Sequence, residues 1–126
     1  MCNQKFFKCK HCGNLVGLIN NAGVPLVCCG ENMEELVANS VEASTEKHIP
    51  AVTVAGDTVT VKIGSAPHPM VDEHHIEFIY LQTEKGGQRK CLKPGEEAIA
   101  TFKVVDDTPL EVFAFCNIHG LWATKI

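Results

Sequence analysis

From Ile49 onward, apolar and polar residues exchange places with a period of two. "AVTV" and "TVTVKI" alternate strictly on either side of Gly56-Asp57, which predicts a hairpin. "HIEFIYLQT" runs into Gly86-Gly87 and "QRKCL". "AIATFKVV" follows the turn Lys93-Pro94-Gly95, "LEVFAFC" follows a turn from Asp106 to Pro109, and "LWATKI" closes the chain. About seven short strands at this regular spacing predict an immunoglobulin-like β-sandwich over residues 49–126. Residues 1–36 read differently. Their short apolar runs are broken by Gly13, Asn20-Asn21, Gly23 and Pro25, so the pattern predicts strands of about four or five residues separated by turns. "MEEL" is expected to form a single helical turn, and residues 37–48, small and polar, to form a connector. No long helical period, internal repeat or low-complexity tract is present, so the fold class is mainly β.

Composition narrows the setting. Hydrophobic residues make up 45% of the 126, enough for one packed core, whereas a unit of about 35 residues cannot hold itself together without a staple. The net charge of −4, with no Lys/Arg cluster, argues against nucleic acid as a partner. "MCNQKFFKCKHCGN" lacks the apolar run of a signal peptide and no later stretch is suited to span a membrane, so the expected location is the cytoplasm. Seven cysteines are many for such a chain. In a reducing compartment they point to metal thiolates rather than disulfides.

Four of those cysteines form the first constellation. Cys9 and Cys12 make a Cys-x-x-Cys knuckle closed by Gly13, and the adjacent pair Cys28 and Cys29 follows after fifteen intervening residues. Four thiolates suit one tetrahedral zinc or iron ion. A redox-active Cys-x-x-Cys is the competing reading, but no βαβ pattern surrounds it. Adjacent cysteines on an extended backbone point to opposite sides, so binding one ion requires a bend at this pair. His11, inside the knuckle, is expected to be exposed. Cys2 and Cys91 lie outside the quartet and have no assigned role.

The second constellation is His48, His68, His74, His75, Cys116 and His119, carried by "EKHIP", "PHPM", "DEHHIEF" and "CNIHG" at predicted strand ends and loops. Each alone is unremarkable, and Cys-x-x-His is a weak spacing without partners. Together, in a chain with six histidines in all, they predict a metal site. Pro67 and Pro69 hold His68 extended, as suits a pre-set ligand. If "HHIEFIYL" is a strand, its alternation lets only one of His74 and His75 face the metal, without deciding which.

These motifs carry a resemblance. "FKCKHCGN" followed by "LVCCGENM" resembles desulforedoxin. "EKHIP", "GSAPHPM", "HHIEF" and "CNIHGLW", in order after that quartet, resemble desulfoferrodoxin, the two-iron superoxide reductase family. The resemblance implies a desulforedoxin-like iron domain over 1–36, a linker over 37–48, and a catalytic domain over 49–126 with His48 at its start. It implies two non-haem irons: one on Cys9, Cys12, Cys28 and Cys29, the other on His48, His68, His74, His119 and an axial Cys116. It settles the choice of neighbours in favour of His74, while His75 departs from the aromatic residue common in relatives. Glu46 would be the sixth ligand of the oxidised iron, and Lys47 would draw superoxide towards the open position. The implied reaction reduces superoxide to hydrogen peroxide without releasing dioxygen. Its electrons would come from a rubredoxin-type protein or another reductase, and the chain would form a homodimer.

Three other readings compete. A non-catalytic electron carrier with a cupredoxin-like site, using Met70, leaves two histidines without a role. A structural zinc knuckle on a binding module leaves the histidines unexplained. A superoxide dismutase is opposed only by the resemblance.

Overall fold

The computed structural model describes residues 3–126, so Cys2 lies outside the described residues. The chain divides into two compact units, Asn3–Val37 and Ala38–Ile126.

In the smaller unit, β1 (Lys5–Lys8) pairs antiparallel with β2 (Leu15–Leu18), and β3 (Val27–Cys28) pairs with β4 (Glu31–Asn32). The stretch expected to make a helical turn is instead β5 (Glu34–Glu35), on the other side of β1. The backbone bonds of its flanks explain the difference. Met33 N–H donates to Leu26 O at 2.7 Å and Leu36 N–H to Phe6 O at 2.8 Å, so bonds to distant segments on both flanks hold this stretch extended against its neighbours. Among the described residues of this unit, only Phe6 and Cys9 are buried apolar side chains. Two side chains do not make a core, so packing alone does not account for this unit's order.

The larger unit opens with α1 (Thr45–His48), a single helical turn within the predicted connector. Pro50 disfavours a helical conformation at Ile49, whose backbone is extended at φ −67° and ψ 121°, so the helix ends on His48. Seven strands follow. The smaller sheet consists of β6 (Pro50–Ala55), β7 (Thr58–Ile63) and, further along, β10 (Ile99–Lys103), in spatial order β10-β7-β6. The second sheet contains β8 (Ile76–Thr83), β9 (Gly87–Cys91), β11 (Pro109–Cys116) and β12 (Gly120–Lys125), in order β12-β11-β8-β9. All pairings are antiparallel. The two sheets close on one core, with Val59, Val61, Ile63, Ala100 and Phe102 from the first and Ile76, Ile79, Leu81, Val112 and Ala114 from the second. The predicted sandwich and its strands are therefore present.

Register determines where the ligand candidates point. Val112, Ala114 and Cys116 share the inward face of β11, so the pleat drives Cys116 Sγ into the end of the core. The opposite face carries an aromatic ladder. Phe78 stacks on Phe115 at 5.8 Å between ring centroids, and Tyr80 meets Phe113 at 6.3 Å.

Candidate metal centres

In the small unit the four cysteine sulfurs all lie within 4.8 Å of one another. The knuckle forms because Gly13 N–H donates to Cys9 O (3.1 Å) and Cys9 N–H to Asn14 O (2.9 Å), and Gly13 takes the positive φ of 83° that this turn needs. Backbone donors then aim at sulfur, Cys12 N–H at Cys9 Sγ (3.5 Å) and Asn14 N–H at Cys12 Sγ (3.4 Å). The adjacent pair solves its geometry with a bend. Strand β3 ends at Cys28 and Cys29 turns to φ 52°, which brings both sulfurs to one side. Cys12 N–H helps hold the Cys9 thiol down to about 6, whereas hydrogen bonding first with Cys12, then with Cys9 and Cys28, pushes Cys29 up to about 12. Four sulfurs this close carry four negative charges together only around a cation. His11 is exposed, as expected, and its Nε2 lies 3.4 Å from Glu31 Oε1.

The second cluster lies at one end of the sandwich. His48 comes from α1, which is fastened to the loop after β7. Ala66 N–H donates to Glu46 O at 2.9 Å, and Gly64 packs so closely that a Cβ there would sit 2.6 Å from Glu46 O. The same loop brings in His68, whose N–H donates to Ile63 O at 3.1 Å. His74 closes a tight turn, exchanging backbone bonds with Val71 at 3.0 and 3.1 Å. His74 and His75 precede β8, which starts at Ile76, so this turn rather than strand alternation separates them. His75 aims its Nδ1 at Val71 O, 3.1 Å away. Cys116 ends β11, and His119 follows in the turn to β12 with its N–H donating to Cys116 Sγ at 3.4 Å.

The atoms converge. One ring nitrogen each from His48, His68 and His74 lies with Cys116 Sγ inside a 4.8 Å cluster, and His119 Nδ1 is 3.1 Å from His48 Nε2 and 3.9 Å from Cys116 Sγ. Protonation follows from the outer contacts. His48 Nδ1 donates to Ser44 O and His68 Nδ1 to Pro69 O, both at 2.7 Å, because a carbonyl can only accept. Burial pushes His68 down to about 4 and lowers His48 and His74 as well, so these rings are neutral near pH 7. His48 Nε2 and His68 Nε2 therefore present bare lone pairs to each other across 3.1 Å. Two such nitrogens fit at right angles around an ion roughly 2.2 Å from each, close to a metal–imidazole bond. His74 Nε2 is buried and, among the described residues, has no hydrogen-bond partner. A cation at the centre would satisfy all of these atoms, so the residues fit a metal.

Family models for "Desulfoferrodoxin" and "Desulfoferrodoxin, N-terminal domain" match residues 40–125 and 2–36. The chain belongs to the desulfoferrodoxin family. It is 40% identical over 119 residues to a desulfoferrodoxin from Syntrophotalea carbinolica, covering 94% of each chain. Among solved structures, the superoxide reductase from Treponema pallidum matches with a TM-score of 0.81 and 40% identity, covering 98% of this chain and 99% of that one. The one-iron superoxide reductase from Giardia intestinalis matches with a TM-score of 0.56 and 30% identity, covering 64% of this chain and 97% of its own. The family is a two-iron one, and the two clusters found here correspond in number.

Glu46 and Lys47 are exposed on α1 and, among the described residues, make no ion pair. The positive charge of Lys47 reaches the cluster, where it contributes to lowering His48 and His74. Sequence reasoning missed the contacts that orient the ligand candidates: Ser44 O, Pro69 O, and Trp122, which stacks on His48 (4.8 Å, 29° between planes) and donates from Nε1 to His119 O at 3.1 Å. Backbone acceptors leave no sequence signal. Trp122 stood in the motif "CNIHGLW" without a role.

Proposed function

We propose that this protein is a superoxide reductase, which takes superoxide, one electron and two protons to hydrogen peroxide and releases no dioxygen. The observation that carries the reading is the convergence of four imidazoles and one thiolate, with bare lone pairs of His48 and His68 facing each other across 3.1 Å. In this proposal His48, His68, His74, His119 and Cys116 hold the catalytic iron, and Cys9, Cys12, Cys28 and Cys29 hold the other. Iron held by these five donors would supply a one-electron couple. The chain's residues do the rest. Four neutral imidazoles and one thiolate would cancel only one charge of a ferrous ion, leaving a formal charge of about +1 to attract a small anion. Buried Cys116 places its negative sulfur in the core and favours the oxidised state. Lys47 would add positive charge from the exposed side, and Glu46, its neighbour on α1, would offer an anionic carboxylate to the oxidised site.

The small unit is an accessory centre in this reading, supported by the match to a one-iron reductase over only 64% of this chain. For the functional division we propose an iron domain over 1–36, a linker over 37–48 and a catalytic domain over 49–126 with His48 at its start. We further propose a rubredoxin-type protein or another reductase as electron donor and a homodimer as the assembly, both on the family resemblance. Among the described residues no helix is long and apolar enough to cross a membrane, and the free thiols suit a reducing cytoplasm.

Metal analysis joined to rapid mixing of reduced protein with superoxide tests the proposal. Two irons per chain and peroxide without dioxygen are expected. Dioxygen release would make the protein a dismutase, and zinc in both sites would remove the redox reading.

A further inference from the structure

The regular ladder between β8 and β11 breaks just before the second cluster. Phe115 pairs with Phe78 but Cys116 pairs with Ile76, so Glu77 is left over as a bulge. Past that point Asn117 replaces strand pairing. Its backbone N–H donates to His75 O at 3.1 Å, its Oδ1 accepts from His75 N–H at 2.9 Å, and its Nδ2 donates to Glu73 O at 3.0 Å. The residue thus grips the backbone on both sides of His74 from the position next to Cys116.

The His74 ring needs this grip more than His48 or His68 does. His48 and His68 are each oriented by a ring N–H donated to a carbonyl. Among the described residues the His74 ring makes no such bond, and its buried Nε2 has no partner. Backbone placement must do for His74 what a second hydrogen bond does for His48 and His68. A carboxamide accepts from one peptide through its oxygen while it donates to another through its nitrogen. Aspartate would keep the His75 bond and turn an anion towards Glu73 O, and alanine would lose both side-chain bonds.

We propose that Asn117 is a positioning residue that fixes His74 relative to Cys116, and so sets the geometry of the second metal site. This rests on the ligand assignment proposed above. Asn39 provides the control, because its carboxamide makes a similar pair of bonds to Ala123 on β12 (2.9 and 3.2 Å) without touching a ligand segment.

Asn117→Ala, Asn117→Asp and Asn39→Ala are compared with the wild type by the rate at which a chelator removes the second iron. The position of the thiolate-to-iron absorption band is a second readout, the absorption of the four-thiolate iron counts total protein, and the thermal melt of the β-sheet circular-dichroism signal shows whether the larger unit is folded. Release about 10-fold faster or more, with a displaced band, is expected in both Asn117 variants. Asn39→Ala should melt earlier but release iron at the wild-type rate. Asn117→Asp retains one side-chain bond and keeps the comparison available if the alanine variant folds poorly. Wild-type release and an unmoved band in the Asn117 variants would overturn the inference, as would equal changes in Asn39→Ala. A wild type without a second iron would overturn the ligand assignment itself, and this inference with it.

Discussion

The His74 ring ends on a buried nitrogen that has no hydrogen-bond partner among the described residues, whereas the His75 ring, one residue on, turns its Nδ1 to Val71 O. His74→Ala should therefore lose most of the second iron, and His75→Ala should keep it. Iron content of the two variants, measured side by side, decides the point, and equal losses would give His75 a share in the site. Glu46 and Lys47 are neighbours that should fail differently. Lys47→Ala should slow the second-order encounter with superoxide by about 10-fold and weaken its dependence on salt, because focused charge acts before chemistry. Glu46→Ala should leave that encounter unchanged and shift the visible band of the oxidised protein. Stopped-flow rates at several ionic strengths, paired with oxidised spectra, test both. A slow encounter in Glu46→Ala with normal kinetics in Lys47→Ala would reverse the assignments.

Among the elements, β3 and the turn after it depend on metal most directly. Cys29 holds a left-handed φ of 52°, a conformation that a side chain adopts only at some cost. The unit around it has almost no apolar core to offset that strain. Cys29→Ser should abolish the four-thiolate absorption and leave amides of residues 3–37 open to rapid hydrogen exchange. Ala38–Ile126 has a core of its own and should keep its iron and its reaction with superoxide. Loss of that reaction with the second iron still bound would show that the first centre is required for turnover. The strands from β6 to β12 were legible in advance, because strict alternation and glycine or proline turns specify both the period and its ends. "MEEL" was not, since its fate depends on Leu26 and Phe6, whose proximity no local pattern reveals. The ligand types were legible as motifs, but the turn that separates His74 from His75, the bulge at Glu77 and the carbonyls orienting His48 and His68 all arise from backbone geometry.

For the molecule as a whole, the two units gain their order from different sources, one from thiolate ligation and the other from a shared apolar core. A single optical property can follow the second. Trp122 is the only tryptophan of the chain, nearly fully buried, and its indole lies face to face with the His48 ring. All indole emission thus originates within one ring of the proposed catalytic metal, close enough for an open-shell ion to drain the excited state. Emission should be weak in the iron-loaded protein and rise when the second iron is withdrawn. Refilling that site with zinc, which has no partly filled d shell, should leave it bright. Equal brightness with iron and zinc would mean that the indole does not sense the ion. If the quenching holds, titrating the emission against added iron measures occupancy of one centre in a two-metal protein, with no dye and no mutation.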